Sequence, residues 1–335
     1  MDTRKPHSNG TIDQSRLNGD HHKLNEEEPL LDSRTPAMTA LLESARRAAS
    51  GDATILLTGE SGTGKDVLAR QIRKWSTRSA KPWVTINCAA LSEQLLENEL
   101  FGHVRGAFTG AVEDRPGRLE AADGGTVLFN DIAELPLTLQ TKFLRFIEER
   151  RFERVGSNRT IDVDVRLIAA SNRNLPAEVT AGRFREDLYY RLNVICFTLP
   201  PLRERRADIL VLTEWMLKQA ALRVGHPSLS LSSEAAEALL SYRWPGNLRE
   251  LRNAVEHAVA LGGGETILFD DLPESVRCPS SGMDIPDVHG TRLKDFEREQ
   301  ILRALAENAT LESAASALGI NITTLWRKRR RYGIA

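Results

Sequence analysis

Cysteine is scarce in this chain of 335 residues: Cys88, Cys196 and Cys278 lie far apart, outside any CxxC or Cys/His cluster. That spacing argues against a disulfide framework and against a structural zinc, and isolated thiols suit a reducing cytoplasm. Long apolar runs are missing as well, with none approaching the ~20 residues that span a bilayer. The opening residues, MDTRKPHSNG, hold no apolar stretch that could act as a secretory signal. Net charge nearly vanishes, 45 Lys and Arg against 46 Asp and Glu, and aromatics make up only 6%. What is present, 27% charged and 41% hydrophobic residues, matches a soluble globular protein rather than a collagen, a disordered chain or a membrane protein. The length leaves room for about two to three domains.

Along the chain, residues 1–34 read as a disordered polar tail with five basic and seven acidic residues. Too little of it is apolar to offset the entropy of ordering it, and His21-His22 reads as solvated tail. From residue 35 to 201, short β-branched or apolar runs (Thr54–Thr58, Trp83–Asn87, Thr126–Phe129, Val163–Ser171 and Val194–Thr198) alternate with amphipathic stretches. That alternation predicts an α/β fold, a parallel sheet with helices on both faces. Over residues 202–277 the strand signal fades, and Asp208–Arg223, Ser232–Tyr242 and Asn247–Leu261 show helical spacing, a small helical subdomain. Residues 278–292 read as a flexible linker and 293–335 as a compact helical module.

The first chemical signal follows the first predicted strand: Gly59-Glu60-Ser61-Gly62-Thr63-Gly64-Lys65, then Asp66 and an apolar-periodic helix. The glycines let backbone N–H groups turn inward, the helix N-terminus adds its positive end, and Lys65 supplies a point charge for β- and γ-phosphates. Strand, loop and helix in that order give the context a P-loop requires. A generic P-loop has Ser or Thr after the Lys to hold Mg²⁺; here Asp66, a hard oxygen ligand, takes that place. The second signal is Thr126-Val127-Leu128-Phe129-Asn130-Asp131. An apolar strand ending in acidic residues is the Walker B arrangement, in which one carboxylate holds Mg²⁺ and the next orients the attacking water. Asn130 in the first position brings no negative charge to a metal, so Asp66 and Asp131 are the candidate metal ligands.

Between these, Gly106-Ala107-Phe108-Thr109-Gly110-Ala111 sets an aromatic among glycines and small residues in a polar stretch, with no period that would place it in a core. An exposed aromatic on a loop is a candidate contact for a partner protein. With the flanking Glu99-Leu100-Phe101-Gly102-His103 and the later Trp244-Pro245-Gly246-Asn247-Leu248-Arg249-Glu250-Leu251, this GAFTGA string resembles the bacterial enhancer-binding proteins, the NtrC-type AAA+ activators of sigma-54 RNA polymerase. The resemblance runs from about Arg34 to Ala335.

The resemblance implies an AAA+ P-loop ATPase with an α-helical lid, forming a ring, a hexamer, with ATP and Mg²⁺ held between subunits. It implies that Asn87 is a switch asparagine coupling the γ-phosphate to Asp131, Asn172 a sensor I, and Arg249 a sensor II on the lid. Arg185 and Arg191 become arginine fingers reaching a neighbour's nucleotide, a contribution worth roughly 10³–10⁵ in rate. The stretch Arg150–Asp164 resembles a second inserted hairpin that moves with the GAFTGA loop. Two departures stand out: Asn130-Asp131 replaces the family's Asp-Glu pair, and Val104 follows His103 where Glu is usual, removing a loop-to-loop ion pair.

The C-terminal module carries eight basic and five acidic residues from Leu293 onward, five of the cations in the run Arg327–Arg331. Two helices joined through a turn at Gly319 form a helix-turn-helix, the second as reader and Asn321 its N-cap. Thr323, Thr324, Arg327, Lys328, Arg329 and Arg331 are candidates to meet the DNA groove and phosphates. The segment resembles the Fis-type domain of the same family, which dimerises and implies paired half-sites about one helical turn (~34 Å), or a multiple of it, apart.

The leading expectation is a bacterial cytoplasmic activator that binds upstream enhancer DNA, assembles a homo-oligomer, and uses ATP to press the Phe108 loop on the sigma-54 RNA polymerase holoenzyme. The alternative is a DNA-binding regulator of the same ancestry with impaired hydrolysis, serving as a partner subunit in a mixed ring or as a nucleotide-sensing repressor. A P-loop small-molecule kinase leaves the helix-turn-helix without a purpose. The 34-residue tail is too short for a receiver domain, so control is expected from expression level, an inhibitory protein or a partner activator, with no membrane involved.

Overall fold

The computed structural model describes residues 33–224, 229–262 and 264–278 and, nearer the C-terminus, 301–302, 304–305, 310–317, 325 and 328–329. The chain divides into two compact units, the first ending at Arg277 and the second beginning at Cys278.

In the first unit the order is α1 (Pro36–Ala49), β1 (Ile55–Thr58), α2 (Lys65–Trp75), β2 (Trp83–Asn87), α3 (Glu93–Phe101), β3 (Gly102–His103), β4 (Arg115–Pro116), α4 (Arg118–Ala121) and β5 (Thr126–Asn130). There follow α5 (Leu137–Glu149), β6 (Arg151–Glu153), β7 (Thr160–Asp162), β8 (Arg166–Ser171), α6 (Leu175–Thr180), α7 (Glu186–Leu192) and β9 (Ile195–Thr198). The lid holds α8 (Arg206–Val224), β10 (Ser230–Leu231), α9 (Ser233–Ser241), α10 (Asn247–Leu261), β11 (Thr266–Ile267) and α11 (Glu274–Arg277).

The expected parallel sheet is present, five strands in the order β2-β5-β8-β1-β9 with every pairing parallel. Its apolar runs split by parity. Ile55, Leu57, Leu128, Ile168 and Ala170 enter one core, with α1, α2 and the lid. Leu56, Val127, Phe129, Leu167 and Ala169 enter the other, with α3, α5 and α7. A strand buried on both faces has no polar side, which is why these stretches read as continuous apolar runs. The lid shares the first core through Ile209, Leu212, Leu239, Trp244 and Leu251, so it packs on the sheet edge as part of the same unit.

Two expectations need correction. The strand expected from Val163 begins at Arg166: Val163 N donates to Arg150 O (3.0 Å) and Asp164 N to Asp123 Oδ1 (2.8 Å), so the turn's backbone groups are satisfied outside the sheet while Val163 and Val165 are buried as core residues. The helical subdomain also contains a two-stranded parallel pair, β10 with β11, too short to leave a periodic trace in the sequence.

In the second unit a helix, α12 (Leu311–Ala317), is described, and Ile301, Ala304, Ala314, Ala315 and Leu325 form a small core. Lys328 and Arg329 are half-buried in helix; Asn321, Thr323, Thr324, Arg327 and Arg331 lie outside the described residues. Among the described residues no helix is long and apolar enough to cross a membrane.

Candidate functional site

In a parallel sheet the C-terminal strand ends share one edge, and ligands collect in the crevice outside them. Here β1, β2, β5 and β8 deliver the P-loop, Asn87, Asn130-Asp131 and Asn172 to that edge, where they meet the lid helices α8 and α10 around a cleft of about 380 Å³. Ser61, Gly62, Gly64, Lys65, Asp66, Asn87, Asn130, Asp131, Asn172 and Arg249 all line it. Residues more than a hundred positions apart in sequence thus meet as expected.

Gly62 (φ 78°) and Gly64 (φ 98°) adopt left-handed backbone that lets the P-loop wrap on itself, and a Cβ on Gly62 would lie 2.3 Å from Gly246 O. Lys65 opens α2 and donates from Nζ to Gly59 O (2.7 Å) and Glu60 O (2.8 Å). Burial pushes its ammonium down to about 8, Arg249 adding to the shift and Asp131 opposing it. An ammonium that burial disfavours, at the first residue of a helix, gains from any anion placed against it.

Three P-loop residues do not line the cleft. Gly59 packs against Leu199, and the Thr63 hydroxyl donates to Glu60 O (2.9 Å) in the interior. The Glu60 carboxylate accepts both guanidinium arms of Arg203 (2.6 and 2.8 Å) and Asn247 Nδ2 (3.2 Å); the Arg203 bonds hold it below the usual carboxylate range. Their contribution is to shape the loop and tie it to the lid.

Asn247 centres that tie. Fully buried at φ 52°, it accepts from Leu202 N (2.7 Å) and donates to Ser61 O (3.0 Å), while Leu248 N reaches Gly62 O (2.9 Å) and Arg249 Nη1 reaches Ser61 Oγ (2.8 Å). Replacing Asn247 with alanine strands buried donors and acceptors and forces a Cβ residue without Asn's tolerance into left-handed backbone, together about 3 kcal/mol. The expected thermal midpoint is lower by roughly 5–10 °C; Asn247→Gly, which accepts that φ, should lose less. Equal midpoints for wild type and Asn247→Ala would discount the tie.

On the sheet side, Asn87 and Asn130 stand opposite each other in register, and Cys88 N donates to Asn130 O (3.1 Å). Asn87 Oδ1 accepts from Ala89 N (3.1 Å), so the expected coupling to Asp131 is an adjacency around one cleft rather than a hydrogen bond. Asp131 turns the chain at φ 53° into a short 3-10 turn. Asp66, half-exposed, pairs with Arg70 (3.2 Å). Among the described residues no three His, Cys, Asp or Glu side chains cluster to hold a metal. The donor set fits Mg²⁺ nonetheless, since that ion takes one or two carboxylates and completes its shell with phosphate and water.

Arg185 and Arg191 do not line this cleft. Arg185 is held by Asp187 through two bonds (2.6 and 3.0 Å), and both arginines are exposed on or beside α7.

The GAFTGA loop closes the β3–β4 hairpin through Gly106 N to Ala111 O (2.9 Å) and Ala111 N to Phe108 O (3.0 Å). Phe108 is 38% exposed, its edge against His103 at 5.0 Å between ring centroids, while Ala111 is buried. The expected second hairpin is β6–β7. It grips the first by backbone: Val104 N donates to Val155 O (3.1 Å) and Val155 N to Gly102 O (2.9 Å). Gly156 (φ 81°) lies so close to Ala107 that a Cβ there would sit 2.7 Å from the alanine's. Val104 thus meets the second hairpin through its main chain, and its side chain brings no charge there.

Sequence reading missed the lid's share of the cleft: Leu212, Trp215 and Met216 on α8, Leu248 and Arg252 on α10. Their helical spacing was visible, but it signals any buried face equally.

Residues 31–198 match the Sigma-54 interaction domain, 203–284 the AAA+ ATPase lid domain and 292–332 the bacterial regulatory protein, Fis family. The chain is 50% identical over 305 residues to the alginate biosynthesis transcriptional regulatory protein AlgB of Pseudomonas aeruginosa, covering 91% of this chain and 68% of that protein. It is 48% identical to the transcriptional regulatory protein ZraR of Klebsiella oxytoca, covering 89% and 68%. Among solved structures, NtrX from Brucella abortus in complex with ATP is similar with a TM-score of 0.68 at 33% identity, covering 90% of this chain and 68% of that one.

Proposed function

Because the chain belongs to the family of sigma-54-dependent transcriptional regulators with an AAA+ domain, a lid and a Fis-type helix-turn-helix, we propose that it hydrolyses ATP to remodel the sigma-54 RNA polymerase closed complex from upstream DNA. In this reading residues 35–201 with the lid at 202–277 hold nucleotide, 278–292 link, and 293–335 bind DNA as a dimer or higher assembly in the bacterial cytoplasm.

The observation that carries the reading is continuity between cleft and loop. Asn87 ends β2 at the cleft, α3 leaves from there, and α3 runs directly into β3 and the Phe108 hairpin. Glu97 pairs with Lys142, and Thr138 donates to Glu93 (2.5 Å), bracing α3 against α5. A change at the strand ends therefore has a short, stiff path to the tip, the kind of two-position element a nucleotide can bias.

Each residue then has a task. P-loop amides and Lys65 bind the β- and γ-phosphates. Asp131 orients the attacking water and holds its proton. Asn87 and Asn172 stand where a γ-phosphate is sensed, and Arg249 closes the lid onto it. Arg185 and Arg191 supply transition-state charge to the neighbouring copy. Asp131 and Asp66 would hold Mg²⁺, which would supply positive charge against the phosphates.

Phe108→Ala tests the whole scheme. Promoter activation by the variant should fall while its ATPase activity stays at the wild-type level; undiminished activation would overturn the proposal. Asn130 supports a second reading, a subunit with impaired hydrolysis working beside a competent partner. Purified chain without ATP turnover, alone or with DNA, would favour that reading. Specific activity rising steeply with protein concentration would support sites completed between copies.

A further inference from the structure

At the edge of the sheet opposite the cleft, two helices end on arginines. α5 and α7 lie side by side, tied near their starts by Arg185 N to Gln140 Oε1 (2.8 Å) and Gln140 Nε2 to Arg183 O (3.1 Å). Both lead to the start of a parallel strand, β8 for α5 through the second hairpin and β9 for α7, so both end where the strands begin. Arg150 caps α5 and Arg191 lies in the last turn of α7. Neither lines the chain's own cleft.

Arg150 is held there under strain. Its backbone is left-handed (φ 58°, ψ 27°), a conformation that glycine takes freely at a helix end and a long side chain does not. Its guanidinium is half-buried, yet among the described residues it makes one hydrogen bond, Nη1 to Val165 O (2.7 Å), and bonds no carboxylate. Burial pushes it below the usual arginine range; Asp164 opposes that shift, while Arg191 and Arg78 add to it. Asp164 and Asp52, the carboxylates that act on it, are both bonded to Arg78 (3.0 Å each). Glu149, the residue before it, is shared between Arg145 and Arg151. The Arg191 guanidinium is exposed and has no hydrogen bond or ion pair among the described residues. A partly buried cation without a counter-ion gains from an anion that a partner brings. The surface around the pair also suits association: Tyr190 and Val194, flanking Arg191, are 66% and 58% exposed, apolar area that a second copy would cover.

We infer that Arg150 joins Arg191 in an anion-binding pair presented to a second copy of this chain, where it meets the phosphates of the nucleotide in that copy's cleft. The inference rests on the reading above, in which Arg191 serves a neighbour, and adds a residue to it. A triphosphate offers oxygens enough for both guanidinium groups, and the planar N–H fork suits phosphate geometry.

The test mixes subunits of the full chain and reads ATP turnover. Arg150→Gly, which the backbone accepts, should bind ATP as wild type does in dilute protein by calorimetry. Its kcat should fall at least about tenfold, a small share of what an arginine supplied across an interface can contribute. Lys65→Met subunits lack the P-loop charge but present intact arginines, so adding them in excess should restore the turnover of Arg150→Gly severalfold. Arg191→Ala is the control, and the same mixing should restore it. A fault confined to a subunit's own hairpin cannot be repaired by its neighbour. If Arg191→Ala recovers and Arg150→Gly does not, or if Arg150→Gly keeps full kcat, the inference fails and the proposed function stands. If neither mixture recovers, or wild type itself is silent, sites completed between copies fail together with the inference. Should Arg150→Gly not fold by circular dichroism, Arg150→Asn, which also tolerates left-handed backbone, takes its place in the mixture and decides.

Discussion

Lys65→Met should remove measurable ATP binding and turnover while leaving the chain folded. Methionine keeps the aliphatic stem that packs at the start of α2 and deletes only the charge that meets the phosphates. Truncating one partner of a buried, hydrogen-bonded charge pair costs about 2–5 kcal/mol, which is roughly 30- to several-thousand-fold in affinity at ~1.4 kcal/mol per decade. The pH dependence of wild type is a sharper check. Burial sets the free ammonium at about 8, far below an exposed lysine, whereas a polyanion bound against it raises that value again. Below pH 8 both forms are charged and affinity is flat. Above it the free protein has already lost the proton that the complex needs, so binding must take one up and affinity falls. Titrations from pH 7 to 9.5 should show this decline, by at most tenfold per unit. Lys65→Arg, charged throughout, should bind less well at pH 7 but show no such slope. A wild-type affinity that stays level to pH 9.5 would mean the ammonium does not meet the phosphates.

Much of this site could be read in the sequence because its residues sit at chain punctuation. The P-loop follows a strand and opens a helix, Asn130-Asp131 ends another strand, and Asn172 a third; strands buried on both faces announce their ends by where the apolar run stops. The same logic failed at Val163–Val165, where buried valines continue the run but the backbone has turned out of the sheet. It also failed on the lid. Along α8, Leu212, Trp215 and Met216 line the cleft and also belong to or pack on the core, so their apolar spacing marks them only as buried. The Glu60–Arg203 pair joins residues 143 positions apart, and local sequence holds no record of it. Asn247 reads as an ordinary first residue of a helix; only its left-handed backbone and buried bonds to the P-loop show that it fastens one subdomain to the other.

The pair Asn130-Asp131 carries the largest remaining consequence, and reciprocal substitutions separate its two halves. Asp131 is the acidic side chain at the strand ends of the cleft, whereas Asp66 lies at the start of α2 and is engaged with Arg70. Asp131→Asn should therefore lower kcat by about 10²–10⁴, the usual worth of a positioned general base, and raise the Mg²⁺ concentration needed for half-maximal turnover, while ATP without the metal still binds through Lys65 and the loop amides. Asn130→Asp is nearly isosteric and adds the charge an amide cannot bring to a metal. It should raise kcat about tenfold and lower the Mg²⁺ concentration needed for half-maximal turnover. The new carboxylate beside Asp131 repels it, so the free chain should lose some stability, and Mg²⁺ should restore it by binding the folded form. Steady-state turnover across Mg²⁺ concentration reads both effects. If Asn130→Asp leaves kcat and Mg²⁺ dependence unchanged, Asp131 alone meets the metal's need and the site is competent as it stands. If wild type is silent and Asn130→Asp turns over, the chain is a subunit disabled by one amide, and the ring it joins must take its hydrolysis from a partner.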